Sequence, residues 1–205
     1  MHSINILEAV WTDAHAQKWE RNWWMTARNQ HASEIRKNEF VSKMMFLHDG
    51  VPDKTVIDIG CGPLSLLLRY PVKSGVGVDP IHYGDLEEAY AAKGIARLVK
   101  CGEDLSVADG LYDEAWIYNC LQHVKDPVKI IENAMTIANK VRIFEWTYIK
   151  PYTGHLHELT PDLLSDPFKK AGWQPLIKTT GFLNHSNLNG NYFMGIFTKE
   201  PATTL

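Results

Sequence analysis

From Thr55 onward, short β-branched apolar runs alternate with stretches whose apolar positions recur at helical spacing. Runs without polar interruption are those of strands buried on both faces, which predicts strands at Thr55–Ile59, Gly75–Val78, Ala96–Val99, Glu114–Tyr118 and Val141–Trp146. The intervening pattern predicts helices at Leu64–Tyr70, Leu86–Lys93 and Pro127–Ala138, with an indistinct stretch after Gly102. Such alternation implies a parallel sheet, right-handed crossovers and helices on both faces. Thr160-Pro161-Asp162 then reads as a helix start, a threonine cap followed by proline at the first helical position, and that helix stops at Gly172. Two strands remain, Leu176–Thr180 and Tyr192–Thr198, joined by a loop ending in Asn189-Gly190. Without a helix between them they form an antiparallel hairpin. The expected fold class is therefore α/β, with a doubly wound, mostly parallel seven-stranded sheet closed by a C-terminal hairpin.

The first fifty residues follow a different pattern. From about Asp13 to His48 there is neither glycine nor proline, and helix formers dominate. Trp11, Trp19 and Trp23 share one helical face, with Trp24 and Met25 beside them and Lys18, Glu20, Arg21 and Arg28 interleaved. That face either bolts the helix onto the domain or walls a small-molecule pocket as a lid. Trp19 and Trp23 are the candidate acceptor-binding residues of such a lid. A second helix is expected over Ala32–Leu47, and Gly50-Val51-Pro52-Asp53 ends it. The division is thus an N-terminal helical segment, 1–52, and a main domain, 53–205.

Composition narrows the function. A length of 205 residues suits one sizeable core, and a net charge of −3 provides no basic field for long nucleic acid or an anionic membrane. No run is long enough to span a bilayer, and Met1-His2-Ser3-Ile4-Asn5 lacks the pattern of a signal peptide. Cys61, Cys101 and Cys120 show no metal-ligand spacing, so reduced thiols, a cytoplasmic location and no metal site are expected.

In an open α/β sheet, ligands bind beyond the carboxyl ends of the strands. After the first strand come Gly60, Cys61 and Gly62, with Asp58 just before them. Two close glycines let a ligand approach the backbone, while the Asp58 carboxylate would repel a pyrophosphate and welcome an ammonium group. Asp79, with Pro80 after it, ends the second strand about 20 positions on, where a carboxylate accepts both hydroxyls of a ribose. Gly102 and Glu103 follow the third strand, Asn119 and Leu121 the fourth, and Glu145 and Trp146 close the fifth. A nicotinamide-binding turn is the nearest rival, but Ser65 stands where its third glycine belongs.

The ordered series Val56-Ile57-Asp58-Ile59-Gly60-Cys61-Gly62, Val76-Gly77-Val78-Asp79, Gly102-Glu103-Asp104-Leu105, Tyr112-Asp113-Glu114-Ala115-Trp116 and Leu121-Gln122-His123-Val124-Lys125-Asp126-Pro127 resembles a class I S-adenosylmethionine-dependent methyltransferase. Within that superfamily it is most similar to the small-molecule group containing the ubiquinone and menaquinone biosynthesis enzymes (type 11). The resemblance covers roughly Asp53 to Phe197 and implies a Rossmann-like fold with S-adenosylmethionine as cofactor. It also implies that Gly60, Cys61 and Gly62 lie along the methionine moiety, Asp58 reaches its ammonium, and Asp79 with Pro80 binds the ribose. Gly102 and Glu103 would then flank the adenine, while Asn119 and Leu121 line the cofactor near its sulfonium. Two positions depart from the family: Leu64 replaces a frequent third glycine, and Cys101 replaces an acid, leaving Glu103 or Asp104 for the adenine amino group.

Methyl transfer from a sulfonium needs positioning and, for a hydroxyl or protonated amine acceptor, a base. His157 and His155, in Gly154-His155-Leu156-His157-Glu158, follow the fifth strand and are candidates, with His123 behind them. Capping and loop hydrogen bonding are the competing readings of these histidines. Glu145 and Trp146 complete the expected acceptor wall. The absence of an Asn-Pro-Pro-Tyr-type stretch and of a Pro-Cys pair argues against nucleobase methylation. The expected partner is a small, partly apolar acceptor, with a homodimer left open. The alternative function is a cofactor-binding subunit without transferase activity.

Overall fold

A computed structural model describes residues 14–26, 51–152, 154–185 and 188–199. Seven strands form one sheet in the order β3-β2-β1-β4-β5-β7-β6, comprising β1 (Thr55–Ile59), β2 (Ser74–Val78), β3 (Ala96–Leu98), β4 (Tyr112–Tyr118), β5 (Ala138–Thr147), β6 (Gln174–His185) and β7 (Leu188–Thr198). The first five pair in parallel, and β7 inserts antiparallel between β5 and β6. The α/β class, parallel centre and antiparallel C-terminal pair are as the sequence implies. The main helices are α1 (Ala14–Trp24), α2 (Glu88–Ala92), α3 (Pro127–Ile137) and α4 (Pro161–Lys170).

Alternation along the strands sorts the residues between two faces. Ile57, Ile59, Ala115, Ile117, Val141, Ile143, Phe193 and Phe197 point to one face and meet Ile130, Ile131 and Ala134 of α3 and Leu164 and Phe168 of α4. Phe168 stacks on Phe197 at 3.9 Å. Val56, Trp116, Cys61 and Tyr90 pack on the other face, where Asp58 also points. Both major helices start as their sequences require. Asp126 accepts from Lys129 N at 3.0 Å and Thr160 from Leu163 N at 3.2 Å, each followed by proline.

Three expectations change. The helix expected over Leu64–Tyr70 is only a 3₁₀ turn, Leu66–Leu68. Ser65 takes an extended conformation and its Oγ accepts from Leu67 N at 3.0 Å, while Pro71 disfavours helix at Tyr70. Leu86–Lys93 divides into a 3₁₀ turn, Gly84–Glu87, and the short α2. Asn189 and Gly190 are not the hairpin loop. They lie inside β7, opposite Asn184 and Leu183, and pairing continues to His185 opposite Leu188. The Trp146 ring packs against Gly190, 3.2 Å from where a Cβ would stand, so this glycine serves packing. The helix expected over Ala32–Leu47 falls outside the described residues. Among the described residues, no helix is long and apolar enough to cross a membrane.

Candidate functional site

The turns that leave the carboxyl ends of β1, β2, β3, β4 and β5 carry the candidate residues. Gly60 and Gly62 both adopt left-handed backbone, φ 71° and 58°. The Gly60 and Cys61 amides still donate to Val78 O, at 2.8 and 3.0 Å, so the turn begins as a continuation of the sheet. A Cβ on Gly60 would stand 2.5 Å from that of Cys120, so this glycine lets the turns after β1 and β4 touch. Beneath the turn, buried Asp58 accepts a 2.5 Å hydrogen bond from Ser65 Oγ. Tyr90 donates to Gly62 O at 2.6 Å, and Arg97 reaches from β3 to Cys61 Sγ at 2.8 Å and Gly77 O at 3.0 Å. Burial pushes the Cys61 thiol well up, which makes it a structural rather than a reactive cysteine.

Asp79 ends β2. Its Oδ2 accepts from Gly62 N at 3.0 Å, and its Oδ1 from Ile81 N at 3.0 Å and from Tyr83 Oη at 3.3 Å. Pro80 is the link within that Asp79–Ile81 loop. Burial raises the Asp79 carboxyl to about 6, against the lowering effect of its donors and Arg97. After β3, Gly102 packs so closely that a Cβ would lie 2.9 Å from Ile130. Glu103 Oε1 accepts from the Lys125 and Asp126 amides at 3.0 and 3.2 Å, capping the approach to α3.

After β4, Asn119 takes a left-handed conformation, φ 55°. Leu121 sends its side chain into the main core. Glu145 Oε1 accepts from the Cys120 and Leu121 amides, both at 2.9 Å, and so ties the end of β5 to this turn. Its Oε2 is buried with no partner among the described residues, and burial lifts the carboxyl to about 8. Trp146 points to the opposite face, edge-on to Phe144.

The three histidines meet on the segments after β4 and β5. Gln122 Nε2 lies 3.2 Å from both Asn119 Oδ1 and His123 Nε2. With that amide as donor, His123 Nε2 accepts, and its Nδ1 carries the proton and donates to Gly154 O. His155 stands edge-on to His123 and stacks on Tyr152, whose hydroxyl is 2.9 Å from His155 Nε2. Burial, with His123 adding to it, lowers His155 to about 3, so it stays neutral. His157 Nε2 donates to Val124 O at 2.8 Å, leaving the lone pair of the neutral ring on Nδ1. Leu156 N also donates to Gln122 O at 2.7 Å. The two segments are laced together.

Helix α1 lies over the glycine turn. The Trp24 ring sits 3.6 Å from the position of a Cβ on Gly62, and its Nε1 donates to Glu20 Oε1 at 3.0 Å. Trp23 stands edge-on to Trp24, with ring centroids 4.9 Å apart. Trp19 belongs to the same helix, but its side chain lies outside the described residues. Among the described side chains, the tryptophan that meets the turn is Trp24. Sequence reading named Trp24, Glu20 and Gln122 without giving them a site role, and did not single out Tyr83, Tyr90, Arg97 or Tyr152. Glu20–Trp24, Asp79–Tyr83, Asn119–Gln122 and Tyr152–His155 are local pairs three or four apart, whereas Tyr90 and Arg97 act across distant turns.

No family model matches the sequence, and no curated protein matches it. Solved structures do. Magnesium protoporphyrin IX methyltransferase (ChlM) from Synechocystis PCC 6803, with bound SAH, superposes with a TM-score of 0.65 at 14% identity, over 97% of this chain and 100% of that one. A SAM-dependent methyltransferase from Thermotoga maritima, described as a possible histamine N-methyltransferase, gives 0.57 at 18% identity, over 89% and 95%. The [4+2]-cyclase SpnF gives 0.62 at 15% identity, over 80% of each chain. The chain has the fold of the class I S-adenosylmethionine-dependent methyltransferases.

Proposed function

We propose that the protein is an S-adenosylmethionine-dependent methyltransferase acting on the oxygen or nitrogen of a small molecule. The observation that carries this reading is the turn after β1. It is followed by a three-residue 3₁₀ turn instead of a helix, so it has no helix dipole to hold a pyrophosphate. Asp58 and Asp79 back it instead, which suits a ligand bearing an ammonium group and hydroxyls. The residues fit the cofactor. Asp79 Oδ2 has one lone pair left for a ribose hydroxyl, and the Gly102 turn supplies an adenine edge. With Glu103 engaged at α3, Asp104 is the freer acid for the adenine amino group.

The cofactor, when bound, supplies a methyl group already activated on its sulfonium. The chain supplies position and proton handling. The laced segments after β4 and β5 hold the acceptor wall still, which is where most of the rate of a displacement arises. His157 is the best placed of the three histidines to accept a proton, at Nδ1, because His123 has both nitrogens engaged and His155 is a weak base. Glu145 holds the turn after β4.

The test has two stages. Calorimetry with S-adenosylhomocysteine should show binding, lost or strongly weakened in Asp79→Ala. Labelled methyl from the cofactor should then enter a low-molecular-mass fraction of a cell extract; label confined to macromolecules overturns the small-molecule reading. A cofactor-binding subunit without transferase activity is the second reading, favoured by the engagement of His123 and the weak basicity of His155. Binding without transfer to any fraction would select it.

A further inference from the structure

Asp79 cannot hold a ribose diol alone. A carboxylate offers about four lone-pair positions, and three are taken by Gly62 N, Ile81 N and Tyr83 Oη. One hydroxyl can be accepted at Oδ2, and the second needs another acceptor. Helix α1 brings one. Trp24 rests on Gly62, whose amide binds Asp79, and the Arg21 guanidinium lies 3.8 Å from the Cβ position of Gly84, in the loop after β2. Glu20 sits on the same helix, next to Arg21 and one turn before Trp24. Its Oε1 is fixed by the Trp24 indole, leaving Oε2 for a ligand. The charge of Glu20 is felt at Asp79 and Tyr83, after β2, and at Tyr152, after β5, so its carboxylate stands near both loops.

We propose that Glu20 is a cofactor-binding residue, accepting one hydroxyl of the ribose diol while Asp79 accepts the other. This rests on the cofactor reading above and adds to it a two-carboxylate clamp, half of which arrives on the N-terminal helix. The arrangement selects a ligand with two adjacent hydroxyls, and it links docking of α1 to ligand binding, since the ligand bridges helix and sheet.

The experiment is calorimetry on the full chain with S-adenosylhomocysteine and its 2′-deoxy and 3′-deoxy analogues, using the wild type, Glu20→Gln and Asp79→Asn. Glu20→Gln keeps an oxygen for Trp24 and turns an amide nitrogen toward the ribose, so the fold survives while an acceptor is lost. Thermal unfolding of each variant checks this. The parent ligand should bind Glu20→Gln about tenfold to a hundredfold more weakly, the size expected for a hydrogen bond to a charged group. That variant should no longer distinguish one deoxy analogue from the parent, and Asp79→Asn should lose the distinction for the other. Wild-type affinity in Glu20→Gln, or full discrimination against both analogues, overturns the clamp. No binding of S-adenosylhomocysteine to the wild type overturns the cofactor reading itself.

Discussion

Glu145 and Asp79 are both buried acids raised by desolvation, and the consequences differ because their ranges differ. Glu145 stands at about 8 in the folded chain, against an ordinary 4.5. Between those values the unfolded chain has released a proton that the folded chain keeps, so stability falls as pH rises, by up to ~1.4 kcal/mol per pH unit, and levels off above 8. Glu145→Gln retains an oxygen for the Cys120 and Leu121 amides and does not titrate. Urea unfolding should find the variant more stable than wild type at pH 8 by about 1–3 kcal/mol, with the gap closing by pH 4.5. Parallel profiles would show that Glu145 is not neutral in the fold. Asp79, at about 6, is ionised at neutral pH and protonates just below it. Hydroxyl donors favour its ionised form, so S-adenosylhomocysteine should bind about tenfold more weakly at pH 5 than at pH 7.5. An Asp79→Asn variant should lose most of that dependence. Glu20, also raised by burial, contributes in the same direction and accounts for what remains.

At the level of elements, the turn after β1 is the most constrained. Gly60 and Gly94 have nearly the same left-handed φ, 71° and 67°, but only Gly60 has a neighbour in the way. Gly94→Ala should cost about 1 kcal/mol, the backbone strain alone, whereas Gly60→Ala adds a clash with Cys120 and should cost at least ~2–3 kcal/mol and weaken cofactor binding. Equal costs, measured by chemical denaturation, would mean the two turns can part freely. The glycine pair, Asp58 and the strands could be read from the chain because local pattern determines them. β1 has the boundaries its sequence implies, and α3 begins at its Asp126-Pro127 cap. The missing helix after β1 could not be read from apolar spacing. Leu66 and Leu67 bury beside Val56 and Tyr90, and the Ser65 hydroxyl competes for the backbone. Arg97 and Tyr90 were equally illegible, since their partners lie on other turns of the sheet, and so was the reach of Glu20 to the loop after β2, although its Trp24 partner is one turn away.

For the molecule as a whole, a buried ion pair fixes how β4 and β5 lie together. Glu114 receives Arg142 at 2.5 and 2.8 Å, Trp116 Nε1 at 3.1 Å and Lys140 at 3.3 Å. Arg142→Met removes the strongest partner from a buried carboxylate and should destabilise by about 3 kcal/mol, while Glu114→Leu with Arg142→Met should recover most of the loss. A double variant no better than the single would assign the cost to packing of the arginine stem. The mixed sheet was legible as a class, because helices stop separating the strands after α4. The insertion of β7 between β5 and β6 was not, since strand order depends on which edge the hairpin meets. That insertion also sets a timetable for biosynthesis. Emerging from the ribosome, β5 has β4 on one flank and nothing on the other until Leu188–Thr198 arrives, bringing Phe193 and Phe197 to the core. The nascent chain thus carries an open, apolar strand edge from the emergence of Thr147 until β7 follows. A product halted before Leu188 should be retained by chaperones or degraded, however complete its binding turns.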